Sequence, residues 1–181
     1  MKKMIGPLLI ILAVGGIVAG VLLVNRNIKH KDDVNAYKKS LKAMLEPLKK
    51  DADDLENALK ELIQAWKVYA MAYGDGNSDK GNLVDVLNQP ERKPEREKVL
   101  KQMKLRSNDR ADILKKAEAY PSGEKGLSDD FLAYWDTFCA MADMYENITL
   151  VESFDKCSRS FAELSVKKDN LYKKLTEELA K

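Results

Sequence analysis

The chain has 181 residues, a net charge of +2, two cysteines and a single histidine, His30. A nearly neutral chain has no overall attraction to nucleic acid, and one histidine near the N-terminus excludes histidine-based acid–base, zinc and haem sites from the rest of the sequence. No glycine-rich phosphate-binding loop is present. The composition therefore predicts a protein that is not an enzyme and carries no cofactor.

Residues 4–24 form an apolar run of 21 residues without a charge. As a helix this run reaches about 31 Å, which matches a hydrocarbon core of about 30 Å. A cleaved signal usually has a shorter apolar region that ends in small residues, whereas here Ala19 and Gly20 are followed by four more apolar residues. We therefore expect residues 1–31 to be a retained membrane anchor with basic flanks. Cleavage, which would release a secreted bundle, is the alternative.

The orientation of the anchor is not decided by charge alone. Lys2 and Lys3 precede the apolar run, and three basic residues follow it: Arg26, Lys29 and Lys31. Because the charge bias nearly cancels, the short basic head before an apolar run is the better guide, and it is typical of an export signal. We expect a single-pass membrane protein whose remaining domain is extracytoplasmic.

Gly16 and Gly20 form a small-xxx-small pair within this run. Two membrane helices approach closely where such pairs meet, although glycine is also common in isolated membrane helices. The pair is a candidate dimer face of the membrane helix.

A heptad seam follows from residue 45. Its apolar residues recur at alternating spacings of three and four, which predicts one buried stripe on a long helix: Leu45, Leu48, Ala52, Leu55, Leu59, Leu62, Trp66, Tyr69 and Tyr73. Pro47 is expected to kink or restart the helix. The sequence thus predicts a helical stalk at residues 32–46 and a helical bundle at residues 47–181.

The remaining pattern predicts an all-α fold with helices over residues 48–73, 94–119, 128–147 and 151–180. The last two are separated by a break near residues 147–150, because apolar residues there recur every three positions and a single helix cannot keep them on one face. These lengths favour an antiparallel up-down-up-down four-helix bundle. The alternative is three long helices with the last one unbroken.

Cys139 and Cys157 lie nine residues on either side of Ile148. A hairpin centred there brings them level on neighbouring helices, whereas a continuous helix holds them about 27 Å apart. Export favours a disulfide. Two buried free thiols are the equally weighted alternative.

The second predicted helix carries a local excess of basic residues. A solvated helix face is the ordinary explanation, and a docking face for an acidic partner is the functional one. The residues concerned are Arg92, Lys93, Arg96, Lys98, Lys101 and Lys104.

Together these features predict a membrane-anchored bundle that acts as an interaction or accessory subunit of an envelope assembly. Its partners are the bilayer, through residues 4–24, and another protein or a second copy of the chain. A ligand-binding or sensory bundle that works with another membrane protein is the alternative function.

Overall fold

The computed structural model describes residues 5–73, 83–84, 86–150 and 153–181, with side chains described from residue 26 onward except at positions 70, 72, 73 and 107. The first helix, α1, runs without interruption over Ile5–Tyr73 and includes Pro47 in its interior. The helix does not restart at Pro47. The predicted stalk at residues 32–46 and the bundle therefore share one helix.

Three further long helices follow in the described part of the chain. They are α2 (Lys93–Glu118), α3 (Lys125–Glu146) and α4 (Phe154–Leu179). The fold is all-α, in agreement with the sequence, and the described residues contain no strand.

Contacts between helix ends give the direction of each helix. The Tyr37 hydroxyl donates to the Ala117 carbonyl at 2.6 Å, which places the first buried turn of α1 beside the end of α2. The Trp66 and Phe154 rings meet edge to face at 5.6 Å, which places the end of α1 beside the start of α4. α1 and α3 therefore run in one direction, and α2 and α4 run in the other.

α1 and α3 form the centre of the bundle. Each packs against the other and against both α2 and α4, which lie on opposite sides of this central pair. The core stripe of α1 is buried over nine successive seam positions: Tyr37, Leu41, Leu45, Leu48, Ala52, Leu55, Leu59, Leu62 and Trp66. The predicted seam is thus confirmed from Leu45 to Trp66, and Tyr69 packs half-buried at its end.

The core also reaches into the segment predicted as a stalk. Tyr37 and Leu41 are buried and belong to the same core as Leu45. They continue the seam spacing of four toward the N-terminus, so burial begins about ten residues before the predicted bundle boundary at residue 47. Before Tyr37, the described side chains of α1, at residues 26–36, are largely exposed.

The predicted break between the last two helices is confirmed. α3 ends at Glu146, a 3-10 turn covers Ile148–Leu150, and α4 begins at Phe154. Ile148 is fully buried in this turn, and Ser153 caps α4 by accepting a hydrogen bond from the Lys156 amide. The alternative of one unbroken last helix is excluded.

The loop between α2 and α3 differs in detail from the expectation. α3 begins at Lys125, three residues before the predicted start. Ser128 is therefore inside the helix, and its buried hydroxyl donates to the Ala117 carbonyl at 2.8 Å. This bond ties the start of α3 to the end of α2.

Among the residues whose side chains the structure describes, no helix is both long enough and apolar enough to cross a bilayer. The predicted span at residues 4–24, which includes the candidate dimer face at Gly16 and Gly20, is not among these residues.

Candidate functional site

A buried ion cluster joins α1 to α4. The Lys168 ammonium is 2.8 Å from Asp53 Oδ1 and also contacts Glu56 Oε2 and, at 3.3 Å, Asp169 Oδ1. Ser165 completes the cluster by donating to Glu56 Oε1 at 2.6 Å. The Lys168 side chain is only 5% exposed, whereas Asp53 and Glu56 are 36% and 22% exposed. One buried cation is therefore held by two partly hydrated carboxylates, with the exposed Asp169 as a third contact, and Asp53 also pairs with Lys49.

Lys168, Asp53 and Glu56 stay charged at neutral pH. Burial opposes the charge of Lys168, but hydrogen bonds from its ammonium to Asp53 and Glu56 outweigh burial and raise its pKa. Burial likewise pushes the pKa of both carboxyls upward, but hydrogen bonds from Lys168 and Lys49 to Asp53, and from Lys168 and Ser165 to Glu56, lower both pKa values overall. A lysine that keeps its proton is neither a nucleophile nor a general base. At neutral pH the Lys168 ammonium therefore links α4 to α1 as a fixed charge.

Two tyrosines lie beside the cluster. The Tyr134 hydroxyl is buried without a hydrogen-bond partner in the described residues, and burial raises its pKa. Its ring lies 6.1 Å from that of Tyr172, over which the Lys49 ammonium sits at 5.0 Å. These contacts extend the cluster across α1, α3 and α4.

A groove lies between α2 and α3 in the described part of the chain. Its volume is about 580 Å³, within the range of ligand and peptide sites. We call it the α2–α3 groove, and its lining residues are Leu100, Met103, Lys104, Arg110, Trp135, Phe138, Cys139, Ala142, Asp143 and Glu146. We call its six uncharged residues, which are mainly apolar, the floor and its four charged residues the walls.

The walls of the α2–α3 groove carry opposite charges. Lys104 and Arg110 belong to α2, and Asp143 and Glu146 belong to α3. Within the described ranges, none of these four side chains forms an ion pair. The groove therefore offers both unpaired cations and unpaired carboxylates to an occupant.

α2 contacts the core mainly through its C-terminal third. Among its described side chains, the buried apolar ones are Ile113 and Ala117, both in that third, whereas Val99, Leu100 and Met103 nearer its start are half-buried. The N-terminal part of α2 thus rests loosely on its neighbours, which explains why a groove opens beside it.

The predicted basic docking face divides into two groups in the structure. Arg92 and Arg96 turn inward and line a small space with Glu61 and Tyr145. The Arg96 Nε atom is buried without a hydrogen-bond partner among the described residues. The exposed members are the four lysines: Lys93, Lys98, Lys101 and Lys104. The docking role of the face stays a prediction.

Both cysteines are free thiols in this structure. Cys139 is half-buried and lines the α2–α3 groove, so it faces α2 rather than α4. Cys157 is buried in α4 at 1% exposure. Burial raises the pKa of Cys139, and it raises that of Cys157 to about 11. The hairpin on which the predicted disulfide depends is present, and in it Cys139 is directed to the other neighbour of α3; the disulfide stays a prediction.

Over the described residues, no group of three or more histidine, cysteine, aspartate or glutamate side chains is arranged to hold a metal ion. Comparison with protein-family models, curated proteins and solved structures found no match. Function is therefore inferred from the side chains and contacts of this chain.

Proposed function

We propose that this chain is a membrane-anchored helical bundle that acts as an interaction or accessory subunit of an envelope assembly. The observation that carries the proposal is the continuity of α1. The helix extends from Ile5 to Tyr73 and so joins the predicted anchor at residues 4–24 directly to the central helix of the bundle. An anchor that continues directly into the central helix attaches the bundle to the membrane and also fixes its position relative to the bilayer.

The exposed part of α1 supports a fixed distance between the bundle and the bilayer. Residues 26–36 are largely exposed, and Tyr37 is the first buried residue among the side chains that the structure describes. The twelve helical residues from the end of the apolar run to Tyr37 span about 18 Å. This length holds the bundle clear of the lipid headgroups on a helical stem.

The ends of the bundle then have defined positions. The Lys38 ammonium lies 3.5 Å from the Glu178 carbonyl, so the end of α4 is on the membrane side. The turn at residues 148–150 is on the far side, where the exposed apolar residues include Val68, Met71 and Leu150. Exposed apolar side chains at one end of a bundle are suited to contact with another protein.

The test compares the full chain with a variant in which the apolar run carries two charges. Each arginine near the centre of a membrane helix opposes insertion by about 2.5–3.5 kcal/mol. Leu12→Arg with Val18→Arg should therefore move the protein from carbonate-washed membranes to the soluble fraction. Leu12→Ala with Val18→Ala is the matched control, and it should stay in the membrane pellet.

A reporter fused after Lys181 checks the side of the membrane on which the bundle lies. We expect activity from a periplasmic-type reporter and none from a cytoplasmic one. Wild-type protein in the soluble fraction, with its first thirty or so residues removed, would contradict the proposal and favour a secreted bundle.

A further inference from the structure

The outer side of α4 carries an apolar patch. Val166 is 60% exposed. Its neighbours on this surface are Ala162, Glu163 and Lys167, and all three are exposed. Neither Glu163 nor Lys167 forms an ion pair within the described part of the chain. We call these four residues the outer α4 patch.

The height of the outer α4 patch along the bundle follows from the ion cluster. Val166 is two residues from Lys168, whose ammonium contacts Asp53 and Glu56 on α1. Two residues of helix correspond to about 3 Å along the axis. The patch is therefore level with residues 53–56 of α1.

The α2–α3 groove lies at the same height. Met103 and Phe138, which line the groove, also border a small void together with Asp51 and Leu55 of α1. Cys139 is next to Phe138 and opens to the groove. The groove is therefore level with residues 51–55 of α1, although it lies on a different side of the bundle from the patch.

We propose that the α2–α3 groove of one copy receives the outer α4 patch of a neighbouring copy anchored in the same membrane. This inference rests on the proposed membrane anchoring, because a shared bilayer gives both copies the same orientation and the same height. The apolar patch then meets the apolar floor of the groove, and Glu163 and Lys167 meet walls that carry unpaired charges of both signs. Each contact satisfies charges that a single copy leaves unpaired.

The contact joins two different surfaces, so it is heterologous and each copy keeps one groove and one patch available. Copies therefore associate into a closed ring or an open row in the plane of the membrane. The outer α4 patch spans about one and a half helical turns, so the contact is smaller than the roughly 800 Å² per partner of a standard interface. Confinement to one bilayer raises the effective concentration enough for such a contact to form.

The native Cys139 thiol allows a direct test in membranes that contain the full chain. Val166→Cys places a second thiol on the outer α4 patch at the height of Cys139. Mild oxidation should then produce a ladder of crosslinked dimers, trimers and higher species on a non-reducing gel. The ladder should disappear in Val166→Cys combined with Cys139→Ala, in which the groove has no thiol.

A matched control uses the same helix at a different height. Glu177 is exposed on α4, and it is eleven residues, or about 16 Å, nearer the membrane than Val166. Glu177→Cys should crosslink to Cys139 several-fold more slowly than Val166→Cys. Equal rates for the two variants would show random collision and would overturn the inference.

Three other outcomes also overturn it. Membrane-bound protein without a ladder would show that the groove does not receive α4, while leaving the anchoring intact. A dimer that persists without Cys139 would show patch-to-patch pairing, and a crosslink between Cys139 and an unrelated protein would show a foreign occupant of the groove. Loss of the protein from the membrane pellet would instead overturn the proposed function itself.

Discussion

Replacing Lys168 by methionine tests the energetic role of the buried ion cluster. Methionine keeps most of the length of the side chain and removes its charge, so the change leaves Asp53 and Glu56 without their shared cation. Removing one partner of a fully buried ion pair costs about 3–5 kcal/mol. Because Asp53 and Glu56 remain 36% and 22% exposed, water relieves part of this cost, and we expect a loss of about 2–3 kcal/mol in the free energy of unfolding.

The assay is urea unfolding of the full chain in detergent, followed by tryptophan fluorescence. Trp66 and Trp135 are 0% and 1% exposed, so both report loss of the core. Lys116→Met is the control, because Lys116 pairs with Asp112 on the surface of α2 and both side chains are at least half exposed. We expect a loss of no more than about 0.5 kcal/mol for that exposed pair.

The effect of Lys168→Met should depend on pH. The folded-state pKa values of Asp53 and Glu56 are lowered, so the stability from these carboxylates is present above their unfolded pKa values, about 4, and is lost as the pH falls through the folded values. The Lys168 pKa is raised, so its contribution is complete below about pH 10. The difference between wild type and Lys168→Met should therefore be constant from pH 6 to pH 9 and shrink toward pH 2.

Two results would refute this reasoning. A loss as small as that of Lys116→Met would show that the cluster contributes no more than an exposed pair. A difference that is unchanged between pH 7 and pH 2 would show that methionine disturbs packing and that the charges are not the cause.

Three further predictions concern single contacts. Tyr37→Phe removes the hydrogen bond to the Ala117 carbonyl and should cost about 1 kcal/mol in urea unfolding; no change would show that the bond is unimportant. Ser153→Ala removes the cap of α4 and should cost about 1 kcal/mol by the same assay, with Ser160→Ala, at an exposed position inside α4, as the control. Cys139 should react with maleimide before Cys157 because it is half-buried rather than buried, and mass analysis under non-reducing conditions should count two free thiols. A mass lower by two hydrogens would indicate the disulfide.

The sequence predicts the elements whose residues alternate strictly between core and solvent. The prediction of the seam from Leu45 to Trp66 is correct because each of its positions is apolar and the alternation of three and four residues is never interrupted. The break after Glu146 is also correct, since the change in spacing around Ile148 is geometric and does not depend on the neighbouring helices.

Lys168 could not be identified by residue type, because lysine is rarely buried without partners. What distinguishes Lys168 in the sequence is its place in the heptad seam of α4. The α4 seam passes through Cys157, Phe161 and Leu164 and resumes at Leu171, and the seven-residue gap after Leu164 leaves one seam position, which Lys168 occupies. A charged residue at a seam position predicts carboxylates across the interface, but only the packing of α4 on α1 identifies them as Asp53 and Glu56.

The α2–α3 groove is a different case. The groove exists because α2 and α3 are separated there. The weak apolar stripe of α2 does not allow the separation of the two helices to be predicted from the sequence. The opposite charges of its walls come from two helices that the sequence treats separately, so the pattern within α2 alone suggested a basic face. The orientation of Cys139 is likewise fixed by the rotation of α3, which places its thiol toward α2.

The ion cluster links the stability of the bundle to the proposed association between copies. Apolar seams tolerate a shift of one heptad, about 10 Å, because the shifted stripe is still apolar. A lysine that must reach Asp53 and Glu56 allows only one register, since any shift leaves a buried cation without its anions. That register places Val166 level with Cys139. Lys168→Met should therefore reduce the Val166→Cys ladder even in membranes where the bundle remains folded, and an unchanged ladder would show that the apolar seams alone fix the height of α4.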